Sequence, residues 1–266
     1  MFAQATLTPV RCWLPAVLVL ATGTLAHAAP GDEPSPPSSV QVSQAEPDFL
    51  FGRPRGSVGI RGSWVFNRAG SDWYSFVTDE LTIEDGAFGG PAFGVDVAVS
   101  VSPRIDALVT FEYSQSTVAS EYRDFVDNDR LPITQETRLR GANISGNLKF
   151  ALTERGRELG RLAWVPRTLV PYVGAGAGAY WFDLNQAGDF VDFSDLSVFS
   201  DVFASDGWTP SAQVFGGADI KLHRRVFLSV DVRYLWAAGD LGPEWIDFEP
   251  IDLAGMRIGA GIHVQF

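Results

Sequence analysis

Cysteine, histidine and long apolar runs are all scarce in this sequence, and each scarcity removes a class of function. The single cysteine, Cys12, lies in an N-terminal segment that reads as a cleavable signal peptide: Arg11 as basic flank, an apolar stretch from Trp13 to Leu25, and the small-x-small site Ala26-His27-Ala28. Cleavage after Ala28 leaves a chain with no disulfide, thiol nucleophile or lipidated cysteine. Of the three histidines, His27 leaves with the signal, His223 sits in a basic turn and His263 lies near a strand end, so no base stands beside a candidate nucleophile. Cys/His metal spacings, phosphate loops and dinucleotide fingerprints are missing, so no catalytic residue, cofactor or metal is expected. A run of roughly 20 apolar residues, the length of a transmembrane helix, does not occur after the signal. With a net charge of −12 and no basic stripe, the chain offers nothing to nucleic acid.

What is present changes character along the chain. Residues 29–55 are rich in Pro, Ser and acids, as in Pro34-Ser35-Pro36-Pro37-Ser38-Ser39, and read as a disordered lead-in that buries too little apolar area to order itself. From Gly56 onward the governing signal is alternation with period two. In the last strand Met256, Ile258, Ala260, Ile262, Val264 and Phe266 share one face, and Gly255, Arg257, Gly259, Gly261, His263 and Gln265 share the other. The same division predicts strands near 57–66, 92–101, 104–115, 138–152, 170–182, 211–222 and 226–236. Short strands with one lipid-suited and one water-suited face can cross a membrane only as a closed barrel, where every backbone group is paired. Residues 56–266 are therefore expected to form one all-β domain, an eight-stranded antiparallel up-and-down transmembrane β-barrel.

The aromatic residues are sorted along these strands. Trp64, Phe66, Phe111, Tyr113, Trp181, Tyr234 and Trp236 lie on the apolar face at the late ends of the odd strands, which share one rim in a meander. Phe150 and Phe266 mark the opposite rim. Two girdles around a band of Val, Ala and Ile are expected where rings sit at a membrane–water interface.

On the Pro171-Tyr172-Val173-Gly174-Ala175-Gly176 run and the terminal Ile262-His263-Val264-Gln265-Phe266, residues 56–266 resemble the small outer-membrane barrels of Gram-negative bacteria, of the OmpA-transmembrane, OmpW and opacity-protein type. The resemblance implies residence in the outer membrane among its lipid and lipopolysaccharide, both termini in the periplasm, and recognition of Phe266 by the barrel-assembly machinery. Connections near 67–91, 116–136, 183–208 and 238–250 would then be extracellular loops. The basic turns at 155–167 and 221–225 would face periplasm-side head groups or favour retention there. The turn at 153–168 is long for that position.

Three places compete for function. The third loop carries Asp183, Asp189, Asp192, Asp195, Asp201 and Asp206 without a basic residue, a solvated surface by default and a weak Ca²⁺ or Mg²⁺ site by its spacing. Phe190, Phe193, Phe199 and Phe203 alternate with these acids, so the loop either extends the strands or folds over the mouth, or presents a contact surface to a partner or apolar ligand. The lumen is expected to hold Arg61, Asp96, Asp106, Glu112, Lys149, Asp219, Lys221, Asp231, Arg233 and Arg257, either as a salt-bridge plug or along a narrow pore. Inner Tyr180, Phe182, Phe215 and Leu235 suit an OmpW-like conduit for small apolar solutes. The reading taken from the sequence is a non-enzymatic structural or surface-interaction protein, active in adhesion or envelope integrity through its loops, with the conduit as alternative.

Overall fold

The computed structural model describes residues 49–84, 86–127, 129–160 and 162–266. The segment expected to be a signal peptide and most of the expected lead-in lie outside the described residues. In chain order the elements are β1 Leu50–Phe51, β2 Gly56–Asn67, α1 Asp72–Glu80, β3 Gly90–Ser100, β4 Ile105–Val126, β5 Pro132–Ala151, β6 Gly156–Leu159, β7 Ala163–Pro166, β8 Leu169–Val191, β9 Val198–Lys221, β10 Val226–Trp236, β11 Ala238–Gly239, β12 Ile251–Asp252 and β13 Gly255–Gln265. Eight of them close a barrel in the order β10-β13-β2-β3-β4-β5-β8-β9, every pair antiparallel. The last strand zips to the first through the register Arg257↔Val65 and Gly261↔Arg61.

The eight strands come in two lengths. β2, β3, β10 and β13 have 11 or 12 residues, about what a tilted strand needs to cross a bilayer. β4, β5, β8 and β9 have 20 to 24, and because they are neighbours they rise together as a wall ~30 Å above the short strands, at about 3.3 Å per residue. Residues 116–136 and 183–208 are therefore mostly strand rather than loop. The two hairpins turn at 127–131 and 192–197.

The physical cause is an inversion of phase. Within the membrane the apolar residues of β5 point outward, as Ile144, Leu148 and Phe150 do; above it Ile133 and Leu139 point inward and Thr134 and Glu136 outward. A strand leaving lipid for water keeps its pleat, but the buried side changes from outside to inside. Inside the wall sits a cork made by the connections of the short strands: α1, from the β2–β3 connection, and residues 237–254, from the β10–β13 connection. Asp72, favourably placed at the start of α1, accepts hydrogen bonds from the Glu249 amide at 3.1 Å, while Asp252 accepts from the Gly70 amide at 3.0 Å, tying the two halves together.

At the other end, residues 49–55 are ordered, which corrects the expected disorder of that part of the lead-in. Leu50 and Phe51 pair with Trp164 and Ala163, and β6 pairs with β7, so the long turn at 153–168 is a hairpin that gives the incoming chain a strand to add to. Trp164 is buried beneath the barrel, and a side chain at Gly156 would collide with its indole.

Candidate functional site

The exterior of the barrel is apolar over the length of the short strands. Ile60, Val95, Val97, Val109, Ile144, Leu148, Val173, Val232, Ile258 and Ile262 are all exposed. The expected girdle residues Trp64, Phe66, Phe111, Tyr113, Trp181, Tyr234 and Trp236 project outward around the upper rim, with Phe150 and Phe266 around the lower. Phe93 and Trp208 join the upper girdle and were missed: Trp208 pairs with Trp181, and the sequence Gly207-Trp208-Thr209-Pro210 hides its place in the alternation of β9. No described helix is long and apolar enough to cross a membrane. An open apolar surface of this extent is stable only against lipid.

The lumen has two storeys. The lower holds the expected charges, which the barrel brings together around Arg61 and Asp231. Arg61 Nη2 donates to Asp231 Oδ1 at 2.7 Å, Arg61 Nη1 lies 3.6 Å from Asp96 Oδ2, and Arg61 Nε lies 3.9 Å from Glu112 Oε2. Arg257 Nε donates to Glu112 Oε1 at 2.7 Å, and Arg233 reaches Asp231 at 3.4 Å. Arg233 and Arg257 stand directly opposite one another on β10 and β13, an arrangement tolerable only because Asp231 and Glu112 take one guanidinium each. Towards the terminal rim Lys149 Nζ donates to Asp219 at 2.6 Å and sits 3.7 Å over the Tyr172 ring, while Arg155 pairs with Asp106. Lys221 lies two residues beyond Asp219, half-buried at the rim.

Neutral groups complete this layer. Tyr172 Oη donates to Asp231 Oδ2 at 3.1 Å, Ser63 Oγ to Glu112 at 3.1 Å, and Gln213 Nε2 to Ser145 Oγ at 2.9 Å. Arg155 was not foreseen, since a turn residue that folds back into the lumen leaves no trace in strand periodicity. His263 Nε2 stands 3.9 Å from Asp96 Oδ2, and His223 is exposed in the β9–β10 turn.

The upper storey is a hydrophobic core. Tyr180, Phe182 and Leu184 of β8 and Leu235 of β10 pack against Trp73, Tyr74 and Val77 of α1 and against Trp245, Ile251 and Leu253. Trp73 is fully buried, with ring centroids 4.8 Å from Tyr74, 5.4 Å from Phe88 and 6.3 Å from Trp245. Tyr180, Phe182 and Leu235 therefore line no open chamber. Phe215 lies a storey lower, under the Arg233 guanidinium at 4.9 Å. Gly141 is required for the close fit, because any side chain there would meet the Tyr180 hydroxyl.

The third-loop phenylalanines divide. Phe190 and Phe203 face the wall's inner side, 4.6 Å apart, with Phe203 5.8 Å from Trp245. Phe199 is partly exposed, and Phe193 stands at the apex, 5.7 Å from Phe125 of the neighbouring hairpin. The acids do not converge on a cation: among the described residues no group of three or more carboxylates and histidines could hold a metal. Asp192 Oδ1 instead accepts the Ser194 amide at 2.8 Å and the Ser194 hydroxyl at 2.6 Å, which holds that carboxyl below the usual carboxylate range.

A closed eight-stranded barrel with a lipid-facing band between two aromatic girdles defines a small outer-membrane β-barrel protein. No family model and no curated sequence matches the chain. Among solved structures it is similar to the Neisserial surface protein A, at 11% identity and a TM-score of 0.42, over 79% of this chain and 97% of that one. It is also similar to the N-terminal barrel of Pseudomonas aeruginosa OprF, at 13% identity and 0.35, over 80% and 100%. A third likeness is to Ail, the attachment invasion locus protein of Yersinia pestis, at 13% identity and 0.35, over 80% and 99%.

Proposed function

We propose that this barrel is a non-enzymatic surface-interaction protein whose working surface is the apex of the tall wall. The observation that carries the reading is the pairing of a filled interior with an exposed apolar apex. Salt bridges fill the lower storey and the cork fills the upper, which speaks against an axial conduit for apolar solutes. At the apex Val126, Leu131, Phe193 and Leu196 are each more than half exposed, and they belong to two hairpins that touch through Phe125 and Phe193. Asp124, Asp127, Asp129, Asp192 and Asp195 surround them, so the matching partner is apolar and basic, such as a cationic amphipathic segment. The hydrogen bonds from Ser194 hold the Asp192 carboxyl below the usual carboxylate range, so its charge stays in place into mildly acidic conditions and its share in binding is lost only as the pH falls through that lowered value.

The test uses the barrel in nanodiscs and an amphipathic Lys/Leu helical peptide as probe. Val126→Ser, Leu131→Ser, Phe193→Ser and Leu196→Ser together are expected to weaken binding at least about tenfold, equivalent to ~1.4 kcal/mol. Equal affinity in the variant, or steady single-channel conductance of the wild type in a planar bilayer, would overturn the proposal. Phe266, at the end of the closing strand, is on this reading the residue by which the assembly machinery recognises the chain. Phe266→Ala is expected to slow assembly into the membrane while leaving the refolded barrel's circular dichroism unchanged.

A further inference from the structure

The rim that carries the chain termini has four junctions between barrel strands, and an exposed arginine occupies each. Arg55 precedes β2 at the β13–β2 seam, Arg104 lies in the β3–β4 turn, Arg167 enters β8, and Arg225 lies in the β9–β10 turn. Their backbones are fixed by hydrogen bonds of the rim itself: the Arg55 amide donates to the Phe266 carbonyl at 2.8 Å, the Arg104 carbonyl accepts from Ala151 at 2.7 Å, the Arg167 amide donates to Arg155 at 2.8 Å, and the Arg225 carbonyl accepts from Gln265 at 2.7 Å. Among the described residues none of the four side chains makes an ion pair or hydrogen bond. That contrasts with Arg61, Arg140, Arg155, Arg233 and Arg257, each of which pairs with a carboxylate.

The position along the membrane normal is fixed by neighbours. Arg104 adjoins Ile105, which pairs with girdle residue Phe150; Arg55 adjoins the Phe266 end; Arg167 is two residues from exposed Leu169; and Arg225 adjoins Val226, which pairs with exposed Val264. A guanidinium one or two residues beyond the apolar band reaches the depth of lipid phosphates while its methylene stem still covers acyl chain. Nearby acids do not cancel this charge: Asp106 and Asp219 point inward and are paired, leaving Glu154 and Glu158 of the β6 hairpin as the described exposed acids. We propose that these four arginines form a collar that binds the phosphates of anionic phospholipids in the leaflet at the terminal rim, so that the protein recruits an annulus of such lipids on one side only.

The test reconstitutes the full mature chain in vesicles of equal parts phosphatidylcholine and phosphatidylglycerol and measures, with spin-labelled lipids, which species contacts the barrel. The wild type is expected to prefer phosphatidylglycerol several-fold, with the preference falling as salt is added. Arg55→Gln, Arg104→Gln, Arg167→Gln and Arg225→Gln together are expected to bring it to parity, whereas the four lysine replacements retain it. Should the quadruple glutamine variant not fold, the four single variants are each expected to lower the preference in part. Undiminished preference in the glutamine variants, or none in the wild type, would overturn the proposal. So would full displacement of the lipid by millimolar inorganic phosphate, which would assign the collar to free anions.

Discussion

Replacing Asp231 with alanine is expected to lower the stability of the barrel by about 3–5 kcal/mol, seen as a shift of the urea midpoint for the protein refolded in lipid. The carboxylate is buried and accepts from Arg61, Arg233 and Tyr172. Its removal leaves two guanidiniums in a space where water cannot replace the lost partner, and the cost of an unpaired buried charge exceeds the modest worth of the pair. The effect will not be repaired by taking out the other half. Arg61 also faces Asp96, so Arg61→Met combined with Asp231→Leu leaves Asp96 without a guanidinium and Arg233 without its carboxylate. A double variant as stable as the wild type would mean that the lower storey is a set of independent pairs rather than a network.

Replacing Trp73 with alanine is expected to act on the cork and spare the barrel. Trp73 is fully buried against Tyr74, Phe88 and Trp245, and loss of such a side chain from a packed core costs about 3–5 kcal/mol. The strands around it are held by a closed ladder of backbone hydrogen bonds that does not pass through α1. Amide exchange across Asp72–Glu80 and residues 237–254 should therefore become fast while β2 and β13 stay protected. An environment-sensitive apolar dye should bind the uncovered inner face of Phe182, Leu184 and Leu235. Equal loss of protection in β2 and β13 would show that cork and barrel unfold as one unit.

The membrane-crossing halves of the strands were legible because lipid and lumen impose opposite demands on alternate residues. The wall was not, because its apolar residues change parity at the membrane surface. In β4 Val109, Phe111 and Tyr113 point out while Val118 and Tyr122 point in; in β8 Val173 and Trp181 point out while Phe182, Leu184 and Phe190 point in. A reading by period two ends the strand where the phase breaks, although the backbone continues. The inward charges of the lumen followed from the same alternation, and their pairing followed from the cost of leaving them single. Helix α1 was hidden for a different reason. Its signal, an acid at the first turn followed by Trp73, Phe76 and Val77, is one short turn of pattern inside a segment expected to be loop.

Because four adjacent strands outrun the other four, the molecule has a front and a back when viewed down the barrel axis from its tall end. The long strands screen the mouth on one side, and the low side is closed only by the cork and its connections. Anything large that approaches from behind meets a continuous sheet, whereas an approach from the front meets the cork directly. Two such barrels in the same membrane would therefore present different faces to each other depending on how each has turned about its own axis, and rotation in the plane of the bilayer becomes a variable in what the protein can touch.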